Sequence, residues 1–413
     1  MPSTMHTGPM PHLRRVALLV ATATTVSACA SSSSDPSWQG APPFQSEQNP
    51  VQISPLLPPQ APGGGAGSGG PSSSPGRGSS SSPSPGKTED PNVVAKHLVA
   101  PVGLVILPSG SALVGERTTG KIVSVQPVAG RPTPTIKQLT GLDTSGDGGL
   151  LDLALSPHYD EDKLIYAYIT TPTDNRVIDF TLTGAVTPVF TGIPKGATGN
   201  TGRIAFGADG ALYVGTGDTG RPALAADPAS LAGKVLRISD IGNPSPDNPS
   251  PTSPVFTRGH HAVDGLCVMD NPSLVLDVEA QADLTTEVNV LTPGSNYGWP
   301  KPASSSKSPL ATLPGTARNP GGCAIANQTV FVTSLDNKQL IAATLTGAGT
   351  TLKLANPHAV VGSKYGRLRT IVVAPDGALW LTTSNKDGHG KPIADDERVI
   401  RIVLNGGGAT SPA

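Results

Sequence analysis

The sequence predicts an all-β fold, a six-bladed β-propeller of four-stranded antiparallel blades, on two observations. Between Val93 and Val403 a hairpin-like phrase recurs six times, an apolar run into a Gly/Asp/Asn/Pro turn and a second apolar run out of it. The first strong aliphatic after each turn falls at Leu113, Leu164, Leu212, Leu274, Val330 and Leu379, so the copies repeat at steps of 48 to 62 residues. A unit of that length is a four-stranded sheet with its loops. It cannot bury both faces alone, and radial stacking about an axis covers them. A β-sandwich shares the Asp-Gly hairpin chemistry, but its turns come every ~8–12 residues with no larger period.

In chain order the copies are Gly103–Glu116, Leu150–Ile169, Arg203–Asp218, Gly265–Glu279, Gly322–Ser334 and Arg369–Ser384. Each supplies the first two strands of a blade, and the intervening residues supply the outer two. No long helix signal interrupts them, although Leu224–Gly233 could hold a turn or two. Asp147, Asp152, Asp160, Glu161 and Asp162 read as solvated loop charge, and Asp395-Asp396-Glu397 as an acidic loop. His158 follows Pro157 in a turn and reads as solvated.

The ends are of a different kind. Arg14 and Arg15 precede an apolar stretch from Val16 to about Val26, too short to span a bilayer, followed by Val26-Ser27-Ala28-Cys29. This predicts a secretory signal over residues 1–29. The last four residues resemble the bacterial lipobox, which implies lipidation of Cys29 and a lipid-anchored place on the extracytoplasmic face of the cell membrane. Residues 30–92 are Ser, Pro, Gly and Gln with few aliphatics, too little apolar surface to offset ordering entropy, and predict a disordered tether. The propeller is expected over 93–405, with a flexible tail at 406–413. Formal net charge is −1, which excludes a strong basic field for nucleic acid.

Cys267 and Cys323 stand just after glycines on the innermost strands of adjacent units. Outside the cytoplasm such a pair could form a disulfide. They are offset by one residue relative to their glycines, so they could equally point apart as two buried thiols.

Longer phrases carry more information. Gly148–Tyr159, Gly202–Asp218, Leu231–Ile238, Gly294–Pro300 and Gly366–Arg369 with Ala374–Gly377, taken in this order, resemble the soluble quinoprotein glucose/sorbosone dehydrogenase family. The lipobox, the tether and the phrases Thr171–Arg176 and Gly192–Gly196 further resemble a mycobacterial lipoprotein. The family resemblance implies a six-bladed propeller, pyrroloquinoline quinone (PQQ) and calcium as cofactors, and hydride transfer from an aldose to the quinone while a His takes the hydroxyl proton. The cofactor's three carboxylates call for Arg and Lys in its socket.

Position by position, the resemblance assigns Asp218 as the acidic partner of the catalytic His, and Arg367 and Arg369 as the pair gripping cofactor carboxylates. His261 stands where the family has an Arg reaching the quinone, and Ala262 where it has an Asn. The catalytic His position is Gly199, the calcium loop is Ala280-Gln281-Ala282, and a cofactor Lys falls on Asp336. Matches therefore lie mainly on architecture and departures on chemistry. His260 and His261, with no carboxylate or thiolate at ligand spacing in the sequence, read as surface rather than as a metal site, and no metal ligand is assigned. Two functions remain open, a dehydrogenase relative binding a sugar-like molecule at the axial mouth and a non-catalytic binding or scaffold lipoprotein. A lactonase-type propeller would need a calcium–carboxylate cluster that the sequence does not assemble. No Gly-x-Ser-x-Gly, P-loop or His-Glu-x-x-His is present.

Overall fold

The fold is described from a computed structural model over residues 89–269 and 273–403. Cys29, nearly all of the expected tether and residues 404–413 lie outside the described residues. Six four-stranded antiparallel sheets make up the fold. The first comprises β2 (Pro101–Ile106), β3 (Ala112–Glu116), β4 (Lys121–Val125) and β5 (Thr135–Gln138). The second holds β6 (Leu150–Leu155), β7 (Ile165–Thr170), β8 (Asn175–Phe180) and β9 (Val186–Ile193), and the third β10 (Arg203–Phe206), β11 (Leu212–Gly215), β12 (Lys234–Ile238) and β13 (Val255–Arg258). The fourth holds β14 (Val263–Met269), β15 (Leu274–Ala280), β16 (Thr285–Val290) and β17 (Ala311–Arg318), and the fifth β18 (Pro320–Ala326), β19 (Thr329–Ser334), β20 (Gln339–Thr346) and β21 (Lys353–Val361).

The sixth blade closes the ring with both ends of the described chain. Its order is β22 (Leu368–Val373), β23 (Leu379–Thr383), β24 (Val399–Ile402) and then β1 (Val93–Ala95), the N-terminal strand pairing antiparallel with the last one. Each recurring phrase is the innermost hairpin of its blade. The turn chemistry explains why the hairpins form where they do. Gly210 and Gly377 take φ of 73° and 77°, which glycine adopts without penalty, while Asp209 and Asp376 each accept the N–H two residues on.

Burial shows why the blades stack. There are six apolar clusters, one at each seam between neighbouring blades. Because side chains alternate across a strand, adjacent residues enter different seams: Leu113 packs toward blade two while Val114 packs toward blade six. Trp380 fills the seam between blades six and one, flanked in sequence by Leu379 and Leu381 on the opposite side.

The inner strands β2, β6, β10, β14, β18 and β22 surround the axis, and Arg203 on β10 fills the waist of the channel. Its Nε donates to the Asp264 carbonyl at 2.7 Å, its Nη1 to Thr370 Oγ1 at 3.2 Å and its Nη2 to the Gly321 carbonyl. Asp152 Oδ1 lies 3.6 Å from Nη1, and Thr370 Oγ1 donates onward to the Val102 carbonyl. One guanidinium thereby links blades two to six, and through Thr370 the first. Asp152 corrects the expectation of solvated loop charge: it is 7 % exposed on β6, and its Oδ2 accepts from Ile204 N. Asp396 and Glu397 are likewise buried, tied to Arg398, Asn385 and Thr383, and are not a solvated acidic loop. His158 is exposed, and a single helical turn occupies Ala223–Ala226.

Candidate functional site

The waist divides the channel into two unlike ends. Toward the hairpin turns, a cavity of about 550 Å³ is walled by Leu155, Phe206, Val268, Ile325 and Val373 among others, with Asp152, Arg203 and Thr370 also in its lining. At the opposite end the inner strands begin, and there the polar residues gather.

Arg367 and Arg369 share that end, Arg367 just before β22 and Arg369 within the register shift at its start. Both line a cavity of about 570 Å³ together with Arg117, Asp147, Lys386, Asp387 and Glu397, against an apolar wall of Leu98, Val99, Val102 and Leu335. Their states differ. Arg367 is 3 % exposed and already neutralised, its Nη1 2.8 Å from Asp336 Oδ1 and its Nε 2.7 Å from Asp387 Oδ2. The Nε of Arg369 has no hydrogen-bond partner among the described residues. Burial, and then the neighbouring Arg203, lower its pKa to about 10.

Asp218 and His261 form a second group at blades three and four, and the cavity holding the two arginines is not lined by them. Asp218 follows β11 and is 3 % exposed. Its Oδ1 accepts from Gly220 N at 2.8 Å and its Oδ2 from Trp299 Nε1 at 2.9 Å, with His261 Nε2 at 3.9 Å. The His261 ring packs on Trp299 at 4.2 Å between centroids, and its Nδ1 pairs with the Ala280 carbonyl at 2.8 Å. Between the two groups stands Asp264. Loss of water pushes its carboxyl up to about 7 against the pull of Arg203, Arg369 and His261. Burial likewise raises Asp152 to about 6, with Arg203 opposing.

Beside Asp218 the backbone of Gly199 takes φ of 69°, the left-handed region that favours glycine. A Cβ there would lie 3.0 Å from Asp218 Oδ1 and 3.0 Å from Gly220 N, and Thr219 N donates to the Gly199 carbonyl at 2.9 Å. The segment carrying Gly199 is thus packed onto the Asp218–Gly220 turn.

His260 is fully buried, which corrects the surface reading of the histidine pair. Carboxylates of Asp277 and Glu279 reach it from β15. The sequence signal that could have found them is a charge inside an otherwise apolar strand, Leu274-Val-Leu-Asp-Val-Glu-Ala280. Cys267 and Cys323 lie 5.6 Å apart between Cα atoms with their sulfurs facing each other, a separation that suits a disulfide. The one-residue offset is what brings them together: β14 and β18 carry the same register shift, and side chains that enter the shared seam from its two sides differ in parity.

Fold and mouth together define a class, a six-bladed propeller with a charged axial pocket. Residues 98–319 match the glucose/sorbosone dehydrogenase family, and the chain belongs to it. It is 30 % identical over 254 residues to quinoprotein glucose dehydrogenase B of Acinetobacter calcoaceticus, covering 52 % of this chain and 53 % of that protein. The chain thus spans about half the length of that relative. It is 24 % identical over 345 residues to aldose sugar dehydrogenase YliI of Escherichia coli, covering 73 % and 92 %. Among solved structures, the PQQ-bound form of aldose sugar dehydrogenase from Streptomyces coelicolor superposes with a TM-score of 0.70 at 39 % identity, over 75 % of this chain and 95 % of that one.

Proposed function

We propose that this chain is a lipoprotein of the cell envelope, anchored through Cys29 on the extracytoplasmic face, whose propeller binds a small sugar-like molecule without the oxidation its relatives are named for. The observation that carries this reading is Gly199. The general base belongs at that position, and a side chain there would meet Asp218 and the 219–220 backbone while forcing a left-handed conformation. Loss of a positioned base alone typically removes about 10²–10⁴ in rate.

The residues present do not fit the family's cofactors. Arg367, one of the two cations expected to grip PQQ carboxylates, is held by Asp336 and Asp387, and the former stands where a cofactor Lys is expected. A tricarboxylate would meet those acids. In the segment replacing the calcium loop, the Ala280 carbonyl pairs with His261 Nδ1. The pocket instead suits an uncharged hydroxylated ring. Arg369 offers a donor without a partner among the described residues, and Leu98, Val99 and Leu335 offer an apolar wall.

The test is a thermal-shift titration of the purified chain with PQQ plus calcium and, separately, with a panel of monosaccharides and polyols. The expected result is no shift with PQQ and a stabilisation of about 2.7 kcal/mol by a fitting polyol at a hundred times its Kd. Replacement of Arg369 by Met abolishes the second shift. Micromolar binding of PQQ with turnover of an aldose refutes the proposal.

A further inference from the structure

We propose that His260, Asp277 and Glu279, with Asn289 beside them, form a buried binding site for a divalent transition cation of the zinc class where the connection between β13 and β14 packs onto the fourth blade. This site is separate from the axial pocket and does not depend on how that pocket functions. The three ligand atoms stand within 4.8 Å of one another, and all three residues are at most 1 % exposed.

The hydrogen-bond inventory points to a cation as the ligand. Among the described residues, His260 Nδ1, both oxygens of Asp277 and Asn289 Oδ1 are buried without a partner. Three of these four atoms can only accept, and the fourth accepts in neutral imidazole. Buried acceptors facing one another with no donor between them are costly. A shared positive ion satisfies them at once.

Two occupants compete, a proton on His260 Nδ1 and a metal ion, and distance separates them. Charge-assisted N–H···O bonds are about 2.7–2.9 Å long, whereas Nδ1 lies 3.4 Å from Asp277 Oδ2 and 3.5 Å from Glu279 Oε1. Ligands at about 2.0–2.2 Å from a tetrahedral zinc stand roughly 3.3–3.5 Å from each other. These two spacings from Nδ1 therefore fit ligands around an ion rather than a ring bonded to its neighbours. Charge agrees: imidazolium with two carboxylates leaves one net negative charge buried, whereas a dication with neutral imidazole leaves none. The imidazole nitrogen points to the transition series, zinc included, rather than to magnesium or calcium, which take oxygen alone.

The surroundings are those of a metal site. His260 Nε2 pairs with Thr257 Oγ1 at 2.8 Å, which fixes the ring and leaves Nδ1 as the ligand. Glu279 Oε1 accepts from Asn289 Nδ2 at 3.1 Å, and its Oε2 accepts from His261 N at 3.0 Å. The cation would hold Glu279, and Glu279 the backbone from which His261 projects toward Asp218.

The experiment is metal analysis of the purified chain refolded with zinc and then dialysed against chelator-treated calcium buffer, beside Asp277→Asn. The expected result is one zinc per chain, lost in the variant, with a lower melting temperature once zinc is stripped. Refolding the wild-type chain with cobalt(II) gives the visible bands of a tetrahedral ion and so decides the question even if the variant fails to fold. A wild-type chain that takes up neither metal, or zinc retained equally in a folded Asp277→Asn, overturns the proposal.

Discussion

Replacing Arg203 with Met tests the ring itself, because one guanidinium at the waist of the channel is hydrogen-bonded to blades four, five and six and lies beside the carboxylate of blade two. Methionine occupies similar volume, so cavity formation contributes little. The loss is that of a buried charge whose partners stay behind, a class of change that costs about 3–5 kcal/mol. With an unfolding entropy of about 2.1 cal/mol/K per residue over roughly 310 residues, this lowers Tm by about 5–8 °C. Asp152 gives a second signature. With only the more distant Arg369 left to favour its ionised form, its carboxyl must be protonated or remain as a buried charge without an ion-pair partner, so the penalty grows between pH 5 and pH 8. The assay is urea unfolding followed by tryptophan fluorescence at both values. A loss below about 1 kcal/mol, or one independent of pH, refutes the hub and leaves closure to the seams and the β1–β24 pairing.

Further outcomes follow from other residues. Burial raises the carboxyls of Asp152 and Asp264, so between about pH 4 and pH 7 the folded chain binds more protons than the unfolded one, and stability falls as pH rises. The slope reaches about 1.4 kcal/mol per pH unit for each proton involved, and Asp264→Asn flattens its upper part in denaturation curves measured across that range. Gly199→His fails to create dehydrogenase activity and destabilises by about 1–3 kcal/mol, since it places a side chain in the left-handed region and against Asp218. Cys267→Ser with Cys323→Ser lowers stability by about 2–4 kcal/mol under oxidising conditions and by much less with reductant present; equal losses in both remove the proposed bond. Cys29→Ala moves the protein from the membrane fraction to the soluble one, checked by fractionation and by the mass of the mature N-terminus.

The ring was readable because its signal is local and repeated. Each inner hairpin carries its own apolar runs and its own turn residues, so six copies reveal themselves without any long-range information. The closing strand is only three residues long, and nothing in Val93–Ala95 marks it as the outer strand of the last blade. Polar partners were harder to read for the same reason. Asp152 and Arg203 meet across a blade boundary, and Asp152 looks like its solvated neighbours in a list of acids. Its setting, Leu150-Leu-Asp-Leu-Ala-Leu155, is the better guide, because a carboxylate among leucines on an inner strand faces the axis. Asp277 also stands in an apolar run, but on the second strand β15, where it meets His260 only in the folded chain. The resemblance places Asp218, Arg367, Arg369 and Asp336, yet not the ion pairs of Arg367 with Asp336 and Asp387. The pairing of Arg367 depends on loops from two blades that converge only in the folded ring.

The account stands or falls on the rebuilt pocket. Aldose-dependent dye reduction by the purified chain, supplied with PQQ and calcium, should be measured beside the Streptomyces coelicolor enzyme under the same conditions. The account predicts a rate lower by at least about 10²–10⁴. A rate within tenfold of that enzyme contradicts it.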